Sequence, residues 1–129
     1  MSEEPEKEEL RLVLIDDEEA CRHTVSEALT RYGWTVTALG NEPGVSFLVV
    51  RAQPHIILMD LEMPGLTGED LITTVMSEYG LPNTPVIFFS GLPEEDLRHR
   101  SMVCGAAGYI PKTIDAKELD ERLRAFLSI

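Results

Sequence analysis

The chain has 129 residues, 43% of them hydrophobic and 26% charged, which suits one soluble globular domain built on one core. A formal net charge of −12 repels phosphate backbones and anionic lipid, so direct contact with nucleic acid or a membrane surface is not expected. No apolar run is long enough to span a bilayer, no signal-peptide pattern opens the chain, and two cysteines without a CxxC fit a reducing, cytoplasmic setting with Cys21 and Cys104 buried as small apolar groups.

The opening MSEEPEKEEL carries part of the acid excess, and residues 1–9 read as a solvated, disordered tail. Arg11 to Ile15 is a run of strand type. From Glu18 to Tyr32, apolar side chains recur at Cys21, Val25, Ala28, Leu29 and Tyr32, the spacing of a helix face, and Gly33 supplies the stop. Thr35 to Leu39 reads as the second strand. Pro43 to Arg51 is apolar on every side, and its length and its Asn41-Glu42-Pro43 start predict a helix; Trp34 and Phe47 are assigned to the core. His55 to Met59 is the third strand. Leu71, Ile72, Val75, Met76 and Tyr79 mark a helix face ended by Gly80 and Pro82. Val86 to Phe89 is the fourth strand, Glu94 to Cys104 a helix with a thin apolar face, and Gly108 to Ile110 the fifth strand. Asp115 caps a last helix with the stripe Ala116, Leu119, Leu123, Phe126 and Leu127.

Five strands alternating with five helices predict an α/β fold, a single doubly wound parallel sheet covered on both faces and joined by right-handed crossovers. Such sheets bind ligands at the carboxyl ends of their strands. There the sequence LVLIDDEE runs four apolar residues into Asp16 and Asp17, strand three ends in Asp60, strand four in Ser90, and strand five leads to Lys112. Each has an ordinary explanation alone: Asp17 can cap a helix, Asp60 start a turn, Lys112 be solvated. Together they line one rim.

Three carboxylates about 5 Å apart repel by about 3 kcal/mol per pair at an effective dielectric of about 20. A divalent cation and one ammonium would cancel that charge. All-oxygen ligands in an incomplete protein cage suit Mg²⁺, with Mn²⁺ a possible substitute, and no Cys/His cluster argues for zinc. A cation, a lysine, a hydroxyl and a spare carboxylate make a site for phosphoryl transfer, in which a carboxylate can be the nucleophile. Spacing alone does not single out the attacking aspartate. Asp60 is favoured because Asp16 and Asp17 can share the cation from one turn.

The ordered set of DD at 16–17, D-x-x-M-P-x-x-x-G from Asp60 to Gly68, FFSG ending in Ser90 and Gly91, and GYIPK ending in Lys112 resembles a response-regulator receiver domain. The resemblance spans residues 10–129. It implies a CheY-like, flavodoxin-like sheet with strand order 2-1-3-4-5. It also implies that Asp60 accepts a phosphoryl group from a phosphohistidine on a histidine kinase or histidine phosphotransfer protein. Asp16, Asp17, Asp60 and the backbone carbonyl of Glu62 would hold Mg²⁺; Lys112 and Ser90 would stabilise the phosphoryl group; Ser90 and Tyr109 would act as the switch. Ser90 would move toward the new oxygens, Tyr109 would fill the vacated space, and the helix 94–104 would shift. A downstream protein would read the face formed by helix 94–104, strand 108–110 and helix 115–127. Such a chain catalyses its own phosphorylation and dephosphorylation and is not an enzyme acting on other molecules.

Two features depart from the family pattern. Lys112 is followed by Thr113 rather than proline, which puts the loop geometry and the reach of Lys112 toward Asp60 in question, because a cis bond to a non-proline residue costs about 3–4 kcal/mol. Glu62 and Leu92, each two positions beyond a site residue, are expected to alter phosphate lifetime. The alternatives are a phosphatase with an aspartate nucleophile, disfavoured by the absence of D-x-D after strand one, and a phosphorylation-independent interaction module of the same architecture. His23, His55 and His99 lack partners at ligand spacing and are given surface or packing roles. A stand-alone regulator and part of a larger kinase or regulator fit equally well.

Overall fold

The structure, a computed structural model, describes residues 9–40, 42–62, 81 and 83–127. Its elements are β1 (Leu10–Ile15), α1 (Glu19–Arg31), β2 (Trp34–Leu39), α2 (Val45–Ala52), β3 (Ile56–Asp60), β4 (Val86–Ser90), α3 (Glu94–Cys104), β5 (Gly108–Pro111) and α4 (Ala116–Leu127). The five strands form one parallel sheet in the order β2-β1-β3-β4-β5, the flavodoxin-like arrangement expected. Four of the five expected helices lie among the described residues. The helix over 71–79, the loop through Gly68 and residues 1–8 of the acidic opening lie outside them.

The strand sequences explain the layering. In β1, Val13 and Ile15 face a core shared with Val45 and Val49 of α2, Phe88 and Leu97 of α3. Leu12 and Leu14 face the opposite core, with Val25 and Leu29 of α1, Trp34, and Leu119 and Leu123 of α4. Successive side chains of a strand point to opposite faces, so a strand covered on both sides must be apolar at every position. That is why β3 and β4 are buried from end to end and why a polar residue at their carboxyl ends is conspicuous. The register aligns those ends, with Ile15 beside Met59, Asp60 beside Phe89, and Ser90 beside Pro111. At β5, a Cβ on Gly108 would lie 2.4 Å from Cζ of Phe126, so glycine is what lets α4 close onto the sheet.

Two assignments need correction. Phe47 is 60% exposed, not in the core. The segment VSFLVVRA is apolar all round, so one of its faces must look outward; Val45 and Val49 take the buried positions one turn apart, and Phe47 does not share their face. Cys21 and Cys104 are half-buried rather than buried, Cys21 because it lines a cavity between α1 and α4. Trp34 is in the core as expected, and its Nε1–H donates to Oδ1 of the buried Asp120 at 2.8 Å. Arg124 completes this knot. It donates to the same oxygen at 2.7 Å and to the Tyr32 carbonyl at 2.6 Å, and lies 5.6 Å from the Trp34 ring centre. The C-terminal turn of α1, the start of β2 and α4 are thereby fastened together.

The helix α3 is held less firmly. Only Leu97 and Ser101 are buried along it, and Met102 and Val103 are 75% and 70% exposed. Asp115 caps α4, its Oδ1 accepting the Glu118 N–H at 2.8 Å. His55 has a packing role, Nδ1 accepting the Arg11 N–H at 3.0 Å at the start of the sheet. No helix among the described residues is long and apolar enough to cross a membrane.

Candidate functional site

Three strands end in the same local device. Oδ1 of Asp16 accepts the N–H of Glu18 at 2.8 Å, Oδ1 of Asp60 accepts the N–H of Glu62 at 3.0 Å, and Oγ of Ser90 accepts the N–H of Leu92 at 3.1 Å. Short polar side chains favour this bond to the backbone two residues on, which turns the chain off the sheet without an unpaired buried amide. In both aspartates the bond engages Oδ1 and leaves Oδ2 for other work.

Lys112 fills that role. Its backbone N–H donates to the Ser90 carbonyl at 2.9 Å, extending the pairing of β4 and β5. From there Nζ reaches back over the rim to within 2.9 Å of Asp16 Oδ2 and 3.4 Å of Asp60 Oδ2. The described backbone contains no cis peptide bond, and Lys112 reaches both acids although Thr113 follows it. The ammonium also lies 5.7 Å from the Phe89 ring centre.

The two carboxylates differ in how fully this ammonium compensates them. Burial pushes the Asp16 carboxyl up, but the Lys112 ammonium, the Cys21 thiol and the Glu18 N–H outweigh it and hold the group below the ordinary aspartate value. For Asp60 burial is again the largest influence, and here the Glu62 N–H and Lys112 fall short, so its carboxyl stays above the ordinary value. Burial works against the charged form of Lys112, yet Asp16 and Asp60 together raise it. Cys21 is pushed up to about 12 by burial and by the Asp16 carboxylate, which keeps it a thiol. Asp60 is thus the less fully compensated of the two acids.

Asp17, Glu18, Asp60, Glu62 and Lys112 line an open cavity of about 400 Å³. Asp17 does not cap α1, whose N-cap is Glu18 with no side-chain bond. Asp16 Oδ2 is fully buried and, beyond its ion pair with Lys112, has no hydrogen-bond partner among the described residues. The exposed Asp17 and the undercompensated Asp60 offer hard oxygen ligands at one cavity, and Lys112 ties the buried Asp16 carboxylate to Asp60 beside them, which fits a small divalent cation. No three Asp, Glu, His or Cys side chains among the described residues form a group that could hold a metal ion alone. A cation would complete its shell with water and with oxygens of a phosphorylated ligand, as Mg²⁺ does.

Ser90 is fully buried at the end of β4. Tyr109 is half-buried on β5, packs at the edge of the core on the α3 side, and donates its hydroxyl to Glu94 Oε1 at 3.3 Å in the first turn of α3. Two residues that contact Asp16 are not apparent in the sequence: Cys21, and Arg22, whose Nη1 donates to the Asp16 carbonyl at 2.7 Å. Their signal is positional, since both lie on the first turns of the helix that leaves the acidic pair.

A family model for the response regulator receiver domain matches residues 12–124. Among curated proteins, the chain is 28% identical over 116 residues to the phosphate regulon transcriptional regulatory protein PhoB of Pseudomonas aeruginosa, covering 90% of this chain and 51% of that one. It is 32% identical over 117 residues to the transcriptional activator protein PfeR of the same organism, covering 91% of this chain and 37% of that one. The chain therefore spans about half the length of these relatives, or less. Among solved structures, a response regulator receiver domain from Bermanella marisrubri superposes with a TM-score of 0.80 at 25% identity, covering 94% of this chain and all of that one. The chemotaxis response regulator CheY4 of Vibrio cholerae shares the fold, with a TM-score of 0.81 at 20% identity over 92% of this chain and 99% of that one.

Proposed function

Since this chain belongs to the response regulator receiver family of two-component systems, we propose that it acts in a phosphorelay in which Asp60 takes a phosphoryl group from a phosphohistidine on a histidine kinase or histidine phosphotransfer protein. The observation that carries this reading is the Lys112 ammonium set 2.9 Å and 3.4 Å from Oδ2 of Asp16 and Asp60, at the mouth of a cavity that also holds Asp17.

The Glu62 N–H holds Oδ1 of Asp60, so Oδ2 is the oxygen presented for attack. As the P–N bond of the donor breaks, the P–Oδ2 bond forms and the imidazole leaves. Lys112 need move little to pair with the arriving phosphoryl oxygens, and Ser90, whose Oγ already accepts from Leu92, keeps its hydroxyl proton to donate to them. Asp16, Asp17, Asp60 and the Glu62 carbonyl are the groups that would hold Mg²⁺ or Mn²⁺, and that ion would supply charge neutralisation for the transferring oxygens. Glu62 lines the cavity and Leu92 follows Ser90 by two positions, and the two would govern how readily water reaches the phosphoryl group.

The message follows from charge. A phosphoryl group turns one carboxylate charge into about two and adds acceptor oxygens. Drawing Ser90 toward them opens space for Tyr109, whose hydroxyl then leaves Glu94 and frees the first turn of α3. The thin anchoring of α3 makes it the element that responds, while the Trp34–Asp120–Arg124 knot holds α4 in place. The face of α3, β5 and α4 is the output surface toward a downstream protein in the cytoplasm. In this reading the chain catalyses only its own phosphorylation and dephosphorylation.

Incubation with acetyl phosphate and Mg²⁺, read by intact mass, tests the proposal. The protein should gain one phosphoryl group, and Asp60→Asn should gain none. An unchanged mass would reject the reading in favour of a phosphorylation-independent interaction module.

A further inference from the structure

Asp16 is tied at every polar atom, and one of those ties comes from a charged side chain outside the set of site residues. Its N–H donates to the Leu39 carbonyl at 2.9 Å, Oδ1 accepts from Glu18, and Oδ2 faces Lys112. Its carbonyl accepts from Nη1 of Arg22 at 2.7 Å. Arg22 sits one turn into α1, with its own N–H donating to the Glu18 carbonyl, so its side chain runs back toward the helix N-terminus as long helical side chains do. The guanidinium then passes over Gly40, just beyond β2. A Cβ built on Gly40 would lie 2.9 Å from Nη1, 3.5 Å from Cζ and 3.7 Å from the Asp16 carbonyl oxygen. The bare Cα of Gly40 is the notch that admits the fork.

From this arrangement we infer that Arg22 is a positioning residue for the cation site, with Gly40 as its seat. The inference rests on the reading of Asp16 and Asp17 as cation ligands. The Asp16 carbonyl belongs to the peptide unit that joins the two aspartates. Fixing its direction fixes where the Asp17 side chain leaves the backbone. Asp17 is exposed and does not cap α1, so its direction is set through the backbone, which the Glu18 N–H holds from one side and the Arg22 bond from the other. The bond is charge-assisted and short, and a planar guanidinium can lie flat on a glycine as a tetrahedral, strongly hydrated ammonium cannot. Supporting groups behind metal ligands of this kind change metal affinity by about 10- to 100-fold when removed.

Two routes remove the contact. Arg22→Gln deletes the guanidinium. Gly40→Ala displaces it with a methyl group while leaving Arg22 in the chain, at little cost to the fold, because the displaced atom is the far end of a flexible side chain. The test is a titration of the 129-residue chain with Mn²⁺, following the free ion by electron paramagnetic resonance, with melting temperature recorded separately. Both single variants should weaken Mn²⁺ binding about tenfold. The double variant should be no weaker than either, because both changes break one contact. Arg22→Lys should fall between wild type and Arg22→Gln. Binding within twofold of wild type in both single variants overturns the inference and leaves the cation reading intact. A fully additive double variant overturns it as well. Wild-type protein that binds no Mn²⁺ overturns the cation reading and the role of Arg22 with it. Should Arg22→Gln fail to fold, Gly40→Ala and Arg22→Lys decide the matter alone.

Discussion

Lys112→Ala removes the cation that links Asp16 to Asp60. At 2.9 Å and 3.4 Å, and an effective dielectric of about 20, the two attractions are about 6 and about 5 kcal/mol. Most of this is offset because the lysine regains hydration and rotamer freedom when the protein unfolds. Breaking a buried pair by deleting one partner nevertheless costs about 3–5 kcal/mol, since a charge is left buried and uncompensated. Asp16 is fully buried and meets that condition; Asp60 nearly does. Urea unfolding at neutral pH in EDTA should therefore show a loss of about 3 kcal/mol for Lys112→Ala. In an Asp60→Asn background one of the two acids is already neutral, and the same substitution should cost about 1–2 kcal/mol less. Mg²⁺ should restore part of the loss in the single variant by supplying the missing charge. A cost under 1 kcal/mol, equal in both backgrounds, would refute the idea that Lys112 bridges the acids.

Asp60→Asn alone should stabilise the protein in EDTA. The Asp60 carboxyl is raised in the fold, so its contribution to stability is complete below its unfolded value of about 3.9 and is lost as pH rises through the raised folded value. The variant should melt a few degrees above wild type at pH 7, with the gap closing in acid; a gap that widens in acid would reverse the sign assigned here. Gly108→Ala should cost about 1–3 kcal/mol in urea unfolding through collision with Phe126, and adding Phe126→Leu should recover much of it. Asp120→Ala leaves the buried Trp34 N–H without its acceptor and should cost about 1–3 kcal/mol, with Asp120→Asn costing less. Equal effects for the two Asp120 variants would mean that the hydrogen bond contributes nothing.

How much of this was legible in the sequence depended on where a residue sits. The strand ends were readable because β1, β3 and β4 are covered on both faces, so their apolar runs stop abruptly at Asp16, Asp60 and Ser90. The third strand carries its acid as its last residue, because the backbone ladder with Phe89 is indifferent to the side chain. Phe47 was misplaced because an all-apolar helix carries no periodic signal to say which face is inside. Asp120 lies next to Leu119 in the stripe of α4, where a single acid looks solvated; only the Trp34 N–H, 86 positions away, explains its burial. Arg22 and Cys21 were invisible for a related reason. Their contacts depend on how α1 docks beside the acidic turn, and one-dimensional spacing does not record that angle.

The most direct measurement is chemical mapping of the acceptor. Protein treated with acetyl phosphate and Mg²⁺ can be reduced with borohydride, which converts an aspartyl phosphate to homoserine, and then read by peptide mass spectrometry. The account predicts homoserine at position 60 and at neither 16 nor 17. Homoserine at 16 or 17, or at no position in folded protein, would contradict it.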